Sequence, residues 1–246
     1  MKEISLLIPI YNEEQRLNIP FKKIHSYLEK NFSKKGYEII LINDGSTDKT
    51  QELVEMLLKQ YKQIQIISYK NNQGKGYALS KGVRVAIGKY VIFLDIDLSV
   101  GVREIPKALS FFKKDIDIVI GSRRIKGSKI IIHQPKLRET LGHCYTIFTT
   151  SVLDLDITDL TCGFKGFKNA VAKDIFKNPV AHRWSFDAEI LYKAYKKGYT
   201  VKEIPISWRH VGNSKVNIGF DAIRSFIEVV RIRLLTPGVK RTTIKG

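Results

Sequence analysis

The chain opens with short apolar runs that alternate with amphipathic stretches, and this alternation limits its fold more than any other feature. EISLLIPI, YEIILIND, IQIIS, YVIFLDID and DIDIVIGS read as strands, most of them apolar almost without a break. Such runs belong to strands covered on both faces. Between them, FKKIHSYLEKNF places Phe21, Ile24, Tyr27 and Leu28 on one helical face. GSTDKTQELVEMLLKQY does the same with Leu53, Leu57, Leu58 and Tyr61, behind a capping pair of Asp48 and Gln51. A short helix through Ala86 and another around Ile105 to Phe112 continue the pattern. The prediction is an α/β fold with a mostly parallel central sheet and helices on both faces. Ligands of such sheets bind at the carboxyl ends of the strands. Polar residues gather there: Tyr11, Asn12 and Glu13 after the first strand, Asp44 at the end of the second, Asp95 and Asp97 at the end of the fourth, and Arg123 after the fifth.

The second half is less regular. A basic loop runs to about His133, a helix is predicted from Leu137 to Leu153, and DLTCGFKGF reads as a turn. WSFDAEILYKAYKKG reads as a helix closed by Gly198, and TVKEIPISW as a last strand. The final helix, FDAIRSFIEVVRIRLL, repeats Phe220, Ile223, Ile227, Val230 and Leu234 at three- and four-residue spacing. Arg224 and Arg231 flank that stripe, and Lys240, Arg241 and Lys245 follow it. A stripe of this kind either closes a core or lies in a membrane interface beside anionic headgroups.

A chain of 246 residues suits one large domain. It contains no apolar run near the ~18–20 residues that a membrane-crossing helix needs. MKEISLLIPIYNEE lacks the pattern of a signal peptide, because Pro9 interrupts a short apolar run that acids follow. The expectation is a cytoplasmic protein, peripheral on the cytoplasmic face of a membrane. Cys144 and Cys162 fit a reducing compartment and have no metal-type spacing, so packing roles are expected. The formal net charge of +18 calls for an anionic partner. Arg123, Arg124, Lys126, Lys129, Lys136 and Arg138 crowd the stretch from Gly121 to His143, against Glu139 alone. That stretch has no aromatic residue, whereas nucleic-acid readers interleave aromatics with their cations, so nucleic acid is not expected. No feature specifies an oligomeric state.

In FLDIDLS, Asp95 and Asp97 stand two apart after an apolar strand, which would aim both carboxylates to one side. Like charges so close need a cation. Hard oxygen ligands select Mg²⁺ or Mn²⁺, with a diphosphate completing the site. GKG at 74–76 fits neither a Walker loop nor a dinucleotide fingerprint; its use would be backbone amides plus Lys75 near a phosphate. His25, His133, His143, His182 and His210 are scattered and suggest no metal site. Trp184 and Trp208 read as packing residues, with Trp184 also placed to floor an acceptor site.

LIPIYNEE, INDGSTDKT, NQGKGYAL and FLDIDLS, in that order and spacing, resemble the nucleotide-sugar half of glycosyltransferase family 2, with its GT-A fold. GSRR, DLTCGFKGF, RWSFDAEILYKA and EIPISW followed by GNSKV resemble its dolichyl-phosphate β-glucosyltransferase branch. The resemblance implies a nucleotide-sugar half at 1–122, an acceptor-side half at 123–217, and an amphipathic helix with a basic tail at 218–246. It implies that Pro9, Tyr11, Asn12 and Glu13 line the nucleoside pocket and that Asp44 accepts the imide N–H of uracil. Asp95 would hold the ribose side, Asp97 the metal bridging the diphosphate, and Lys75 and Arg123 the phosphates. Asp187 and Glu189 fall in the element near the acceptor, and Arg123, Arg124, Arg138 and Lys165 would meet the acceptor phosphate. Asp187 equally reads as a helix N-terminal acid paired with Arg183.

The implied reaction is a metal-dependent, inverting transfer of glucose from UDP-glucose to a polyprenyl or dolichyl phosphate. The alternative is transfer to a glycan hydroxyl in surface polysaccharide or glycolipid synthesis. A phosphate monoester is largely dianionic at neutral pH and needs no strong general base, whereas a sugar hydroxyl does.

Overall fold

The computed structural model describes residues 2–212 and 220–236, with side chains in the last helix from Arg224 onward. In chain order the elements are β1 (Ile4–Ile10), α1 (Asn18–Phe32), β2 (Tyr37–Asp44), α2 (Thr50–Gln60), β3 (Ile64–Tyr69), α3 (Lys75–Val85), β4 (Tyr90–Phe93), α4 (Ile105–Phe112) and β5 (Ile118–Ser122). They continue with β6 (Lys129–Ile132), α5 (Lys136–Leu153), β7 (Lys165–Lys168), α6 (Asn169–Ile175), α7 (Phe186–Lys196), β8 (Val201–Pro205), β9 (Ser207–Arg209) and α8 (Phe220–Leu235).

A seven-stranded sheet has the order β3-β2-β1-β4-β7-β5-β8. Every pairing in it is parallel except those of β7, which runs antiparallel between β4 and β5. The apolar runs of β1, β2, β4 and β5 are buried along their length, as double-sided cover requires. One core, with Phe21, Ile24 and Leu28 of α1 and Ile105 and Phe112 of α4, lies on one face. A second, with Leu79 of α3, Ile190 and Leu191 of α7, and Val229 and Ile232 of α8, covers the other. Asp48 Oδ1 accepts the Thr50 N–H at 3.0 Å at the start of α2, but Gln51 bonds to Asn43, Ser68 and Glu55 and completes no capping pair. Leu58 of the predicted stripe is exposed and Val54 is buried instead.

Four readings need correction. DLTCGFKGF is not a turn throughout, since Lys165–Lys168 enter the sheet as β7. TVKEIPISW is two strands: Pro205, with no N–H for a ladder, ends β8, and β9 joins β6 in a separate two-stranded sheet. The basic loop before His133 contains β6. Finally, β4 stops at Phe93, where its register with β1 ends. Asp95 and Asp97 therefore sit in a tight turn beyond the strand, with the Leu98 N–H on Asp95 O at 3.1 Å and Leu98 at φ +54°.

Helix α8 meets the core with residues outside the described part of its stripe. Its core contacts come from Val229 and Ile232, whereas Ile227, Val230 and Leu234 are 65%, 45% and 77% exposed. Phe220 and Ile223 as side chains, and Lys240, Arg241 and Lys245, lie outside the described residues. No described helix is long and apolar enough to cross a membrane.

Candidate active site

A cleft of about 600 Å³ opens at the carboxyl ends of β1, β2 and β4. Its walls include Pro9, Tyr11, Glu13, Asp44, Lys75, Asp95 and Asp97 from the first half, and Arg123, Arg124, Arg138 and Asp187 from the second. One crevice thus brings together most of the residues singled out above.

Asp44, buried at the end of β2, holds the turn that leads into α3. Its carboxylate accepts Asn72 Nδ2 at 2.9 Å, the Gln73 N–H at 2.8 Å and the Gly74 N–H at 2.9 Å. Gly74 takes φ +100°, and a Cβ there would meet His182 O at 2.6 Å. Only glycine fits both demands. Lys75, the first residue of α3, is thereby set at the cleft, with its Nζ 2.6 Å from Asp95 Oδ1. Burial works against the Lys75 ammonium, yet Asp95, Asp187 and Asp97 together hold its pKa above the ordinary value. Asp97 accepts the Ser99 N–H at 2.8 Å. Burial, and then the charge on Asp95, raises its carboxyl above the usual range. Such a carboxylate would gain from a dication.

Among the described residues, no cluster of three or more His, Cys, Asp or Glu could hold a metal ion. The donor chemistry still fits Mg²⁺ or Mn²⁺ as a partial site, because Asp97 offers hard oxygen in a cleft where its neighbour is also anionic. Water and a bound substrate would supply further oxygen ligands.

Arg123 follows β5 and is fixed from below. Its Nε and Nη2 meet Asp159 Oδ2 and Oδ1 at 2.6 and 2.7 Å, and Nη2 also reaches Thr161 Oγ1 at 2.9 Å. The guanidinium lies 5.4 Å from the centroid of Trp208. Asp159 is wholly buried, and its loop is held by Glu203 of β8, which accepts the N–H groups of Thr158 and Asp159. Arg124 donates to Thr158 O at 3.0 Å. Burial, and then Arg123, lowers the pKa of Arg138 on α5.

Three predicted site residues do other work. Lys165 is 2% exposed and sits in β7, bonded to Cys162 O at 2.7 Å and to Asp187 Oδ1 at 2.6 Å. It is spent inside the protein and does not line the cleft. Glu189 is 1% exposed, accepts the N–H groups of Val180 and Ala181, and pairs with Lys193 at 2.6 Å. It is a loop anchor. Asn12 Oδ1 accepts the Thr47 N–H at 2.7 Å and fastens that loop to the end of β1. The partner of Asp187 is Lys165 rather than Arg183. Burial raises the Asp187 carboxyl, against the pull of Lys165 and Lys75.

Sequence reasoning missed Asp159 and Gly163. A Cβ at Gly163 would fall 2.1 Å from Asp95 Oδ2, so glycine makes room for that carboxylate. Of the histidines scattered along the sequence, His133 and His210 line the cleft. Cys162 is a packed thiol whose pKa burial pushes up to about 12, and Cys144 is exposed. The cleft also has apolar lining: Leu141 and Tyr145 of α5, Phe226 of α8 and Trp184, with Tyr145 and Phe226 edge-on at 5.7 Å.

The family model for glycosyl transferase family 2 matches residues 5–176. The chain belongs to that family. Among curated proteins, this family 2 glycosyltransferase is 32% identical over 240 residues to the dolichyl-phosphate beta-glucosyltransferase of Dictyostelium discoideum, covering 94% of this chain and 73% of that protein. It is 31% identical over 248 residues to the Saccharomyces cerevisiae protein of the same name, covering 94% and 74%. The fold is of the GT-A type. Glucosyl-3-phosphoglycerate synthase from Mycobacterium tuberculosis, solved with UDP, superposes with a TM-score of 0.70 at 16% identity, covering 96% of this chain and 82% of that one. The same enzyme was also solved with Mn²⁺, UDP and glucosyl-3-phosphoglycerate, and it matches with TM-score 0.70 at 17% identity, covering 96% and 81%.

Proposed function

We propose that this family 2 glycosyltransferase moves glucose from UDP-glucose to a polyprenyl or dolichyl phosphate, with inversion at the anomeric carbon. The observation that carries the reading is the mixed lining of one cleft. Carboxylates with Lys75, the guanidinium groups of Arg123, Arg124 and Arg138, and the apolar side chains of Leu141, Tyr145 and Phe226 all face it. That set suits a nucleotide diphosphate, an acceptor phosphate and the start of an apolar chain. The names of the curated relatives support the same acceptor.

Pro9, Tyr11 and Glu13 would line the nucleoside pocket, with Asp44 free to accept from the base on the lone pairs that its turn leaves over. Asp97 and Asp95 would hold Mg²⁺ or Mn²⁺ against the donor diphosphate, and the ion would offset charge on the leaving group. Lys75 would turn from Asp95 toward the same phosphates. Arg123, pre-set by Asp159, and Arg138, one turn before Leu141, would dock the acceptor phosphate. A phosphate oxygen then attacks the anomeric carbon, its bond to the diphosphate oxygen breaks, and the electron pair leaves on UDP. No proton needs to move, because the acceptor already carries its charge near neutral pH. Asp187, ion-paired to Lys165, would shape the pocket rather than act as a base.

The exposed stripe of Ile227, Val230 and Leu234 would rest in a membrane interface on the cytoplasmic face, bringing the cleft to its lipid. The experiment is a panel of UDP- and GDP-sugars with polyprenyl phosphate and Mg²⁺ or Mn²⁺, read by the mass of lipid-linked sugar. UDP-glucose should give a hexosyl-phosphate lipid. Transfer only to a glycan hydroxyl would replace this reading with the alternative, in which the raised Asp187 carboxyl becomes the base.

A further inference from the structure

Helix α8 has a third face. Arg224, Glu228, Arg231 and Leu235 follow one another at four-, three- and four-residue steps, next to the exposed stripe and away from the core contacts. They form one wall of a second hollow of about 500 Å³. The opposite wall comes from the loop before α7, with Val180, His182 and Arg183, and from Asn72 and Gln73 of the turn that Asp44 holds. This hollow shares only Asn72 and Arg183 with the lining of the catalytic cleft.

Its charge is unbalanced. Glu228 takes Arg224 Nε at 3.2 Å, while Arg183 and Arg231 meet no carboxylate among the described residues. Three guanidinium groups from two elements converge on one concavity against a single acid. Cations arranged so repel one another unless an anion joins them, and guanidinium forks match the paired oxygens of phosphate. On the same helix, the neighbouring stripe of Ile227, Val230 and Leu234 offers apolar surface to water. A ligand that is phosphate at one end and hydrocarbon at the other satisfies both.

We propose that this groove seats the phosphate of an anionic membrane lipid, a site separate from the catalytic cleft and used for docking. The proposal rests on the membrane reading above and adds to it a specific, geometric contact. Diffuse attraction between a basic protein and an anionic surface depends on charge alone, whereas a guanidinium site depends on shape. Charge-conserving substitution separates the two.

The test is cosedimentation of the full chain with vesicles of phosphatidylcholine, alone or with phosphatidic acid, with circular dichroism and UDP binding as checks on the fold. The expected result is stronger partitioning onto the phosphatidic acid vesicles, weakened about fivefold by Arg231→Lys and again by Arg224→Lys, the factor that one lost hydrogen bond of a guanidinium fork is worth while the charge is kept. Lys59→Gln, which removes a charge on the exposed side of α2, should leave partitioning nearly unchanged. If Arg231→Lys binds like the wild type, the site does not exist and the attraction is diffuse, though the membrane reading stands. Inorganic phosphate that binds in an Arg231-dependent manner, without vesicle binding, overturns the lipid as its source. Should the wild type ignore every vesicle and inorganic phosphate as well, this site and the membrane reading fall together. Formation of a lipid-linked sugar in detergent then still tests the transferase reading independently.

Discussion

Lys75 Nζ lies 2.6 Å from Asp95 Oδ1, so the strand-end acids carry a cation of their own before any substrate arrives. A dication held by Asp95 would compete with this pair for the same carboxylate. Lys75→Met should therefore raise the affinity of the substrate-free protein for Mn²⁺, by about tenfold for one charge removed at this range. The same change should raise the KM for the donor. Electron paramagnetic resonance titration of free Mn²⁺ measures the first effect. Unchanged or weaker Mn²⁺ binding would show that Asp95 takes no part in the metal site.

Asp159 predicts an acid-side signature. Its burial opposes ionisation, but the bonds to Arg123 overcome that and hold its carboxyl below the ordinary range. A depressed native pKa gives stability that is present above the unfolded value near 4 and lost as pH falls through the native one. Asp159→Asn should lower stability at neutral pH by about 3 kcal/mol. Its difference from the wild type should shrink below pH ~4. Urea melts across pH give the curve, and a difference that grows in acid contradicts the assignment. Kinetically, the loss should appear in the acceptor KM, because Arg123 loses its anchor.

Gly163→Ala is a test by displacement. The new methyl cannot share space with Asp95 Oδ2, and a carboxylate end moves cheaply. The melting temperature should change little while turnover falls by an order of magnitude or more, about what a misplaced site group costs. Wild-type turnover would mean that the position of Asp95 is unimportant.

Asp44→Ala carries two effects that can be read apart. The N–H groups of Gln73 and Gly74 lose their acceptor, at about 1–3 kcal/mol for each buried group left unmade. Donor binding should weaken as well. Asp44→Asn keeps one acceptor oxygen and should recover part of the stability while leaving the donor KM high. If both variants bind donor like the wild type, Asp44 serves the turn alone.

The doubly covered sheet was legible because β1, β2, β4 and β5 are continuous apolar runs, and the clustering of polar residues at their ends located the cleft. β7 was not legible, since Lys165 and Gly166 give a strand no apolar signal. Its burial rests on a partner, Asp187, that lies on a different element. The anchor of Arg123 is similar: Asp159 stands 36 residues away, and no local spacing encodes that pair. Glu189 was misread for a related reason. It shares helix α7 with Asp187, but two residues on a helix point to different sides, and Glu189 turns inward to Val180 and Ala181. The α8 stripe was visible as a period, while its exposure depended on Val229 and Ile232 already filling the core.

The central claim is that the acceptor is a phosphate rather than a hydroxyl, and one comparison tests it. Initial rates are measured with UDP-glucose and Mg²⁺ against a polyprenyl phosphate and the free polyprenol of the same length, in one detergent. The account predicts glucosylated product from the phosphate alone, because Arg123 and Arg138 have an anion to hold and Asp187 is ion-paired to Lys165. Comparable turnover of the alcohol, or of a saccharide hydroxyl in its place, would contradict it.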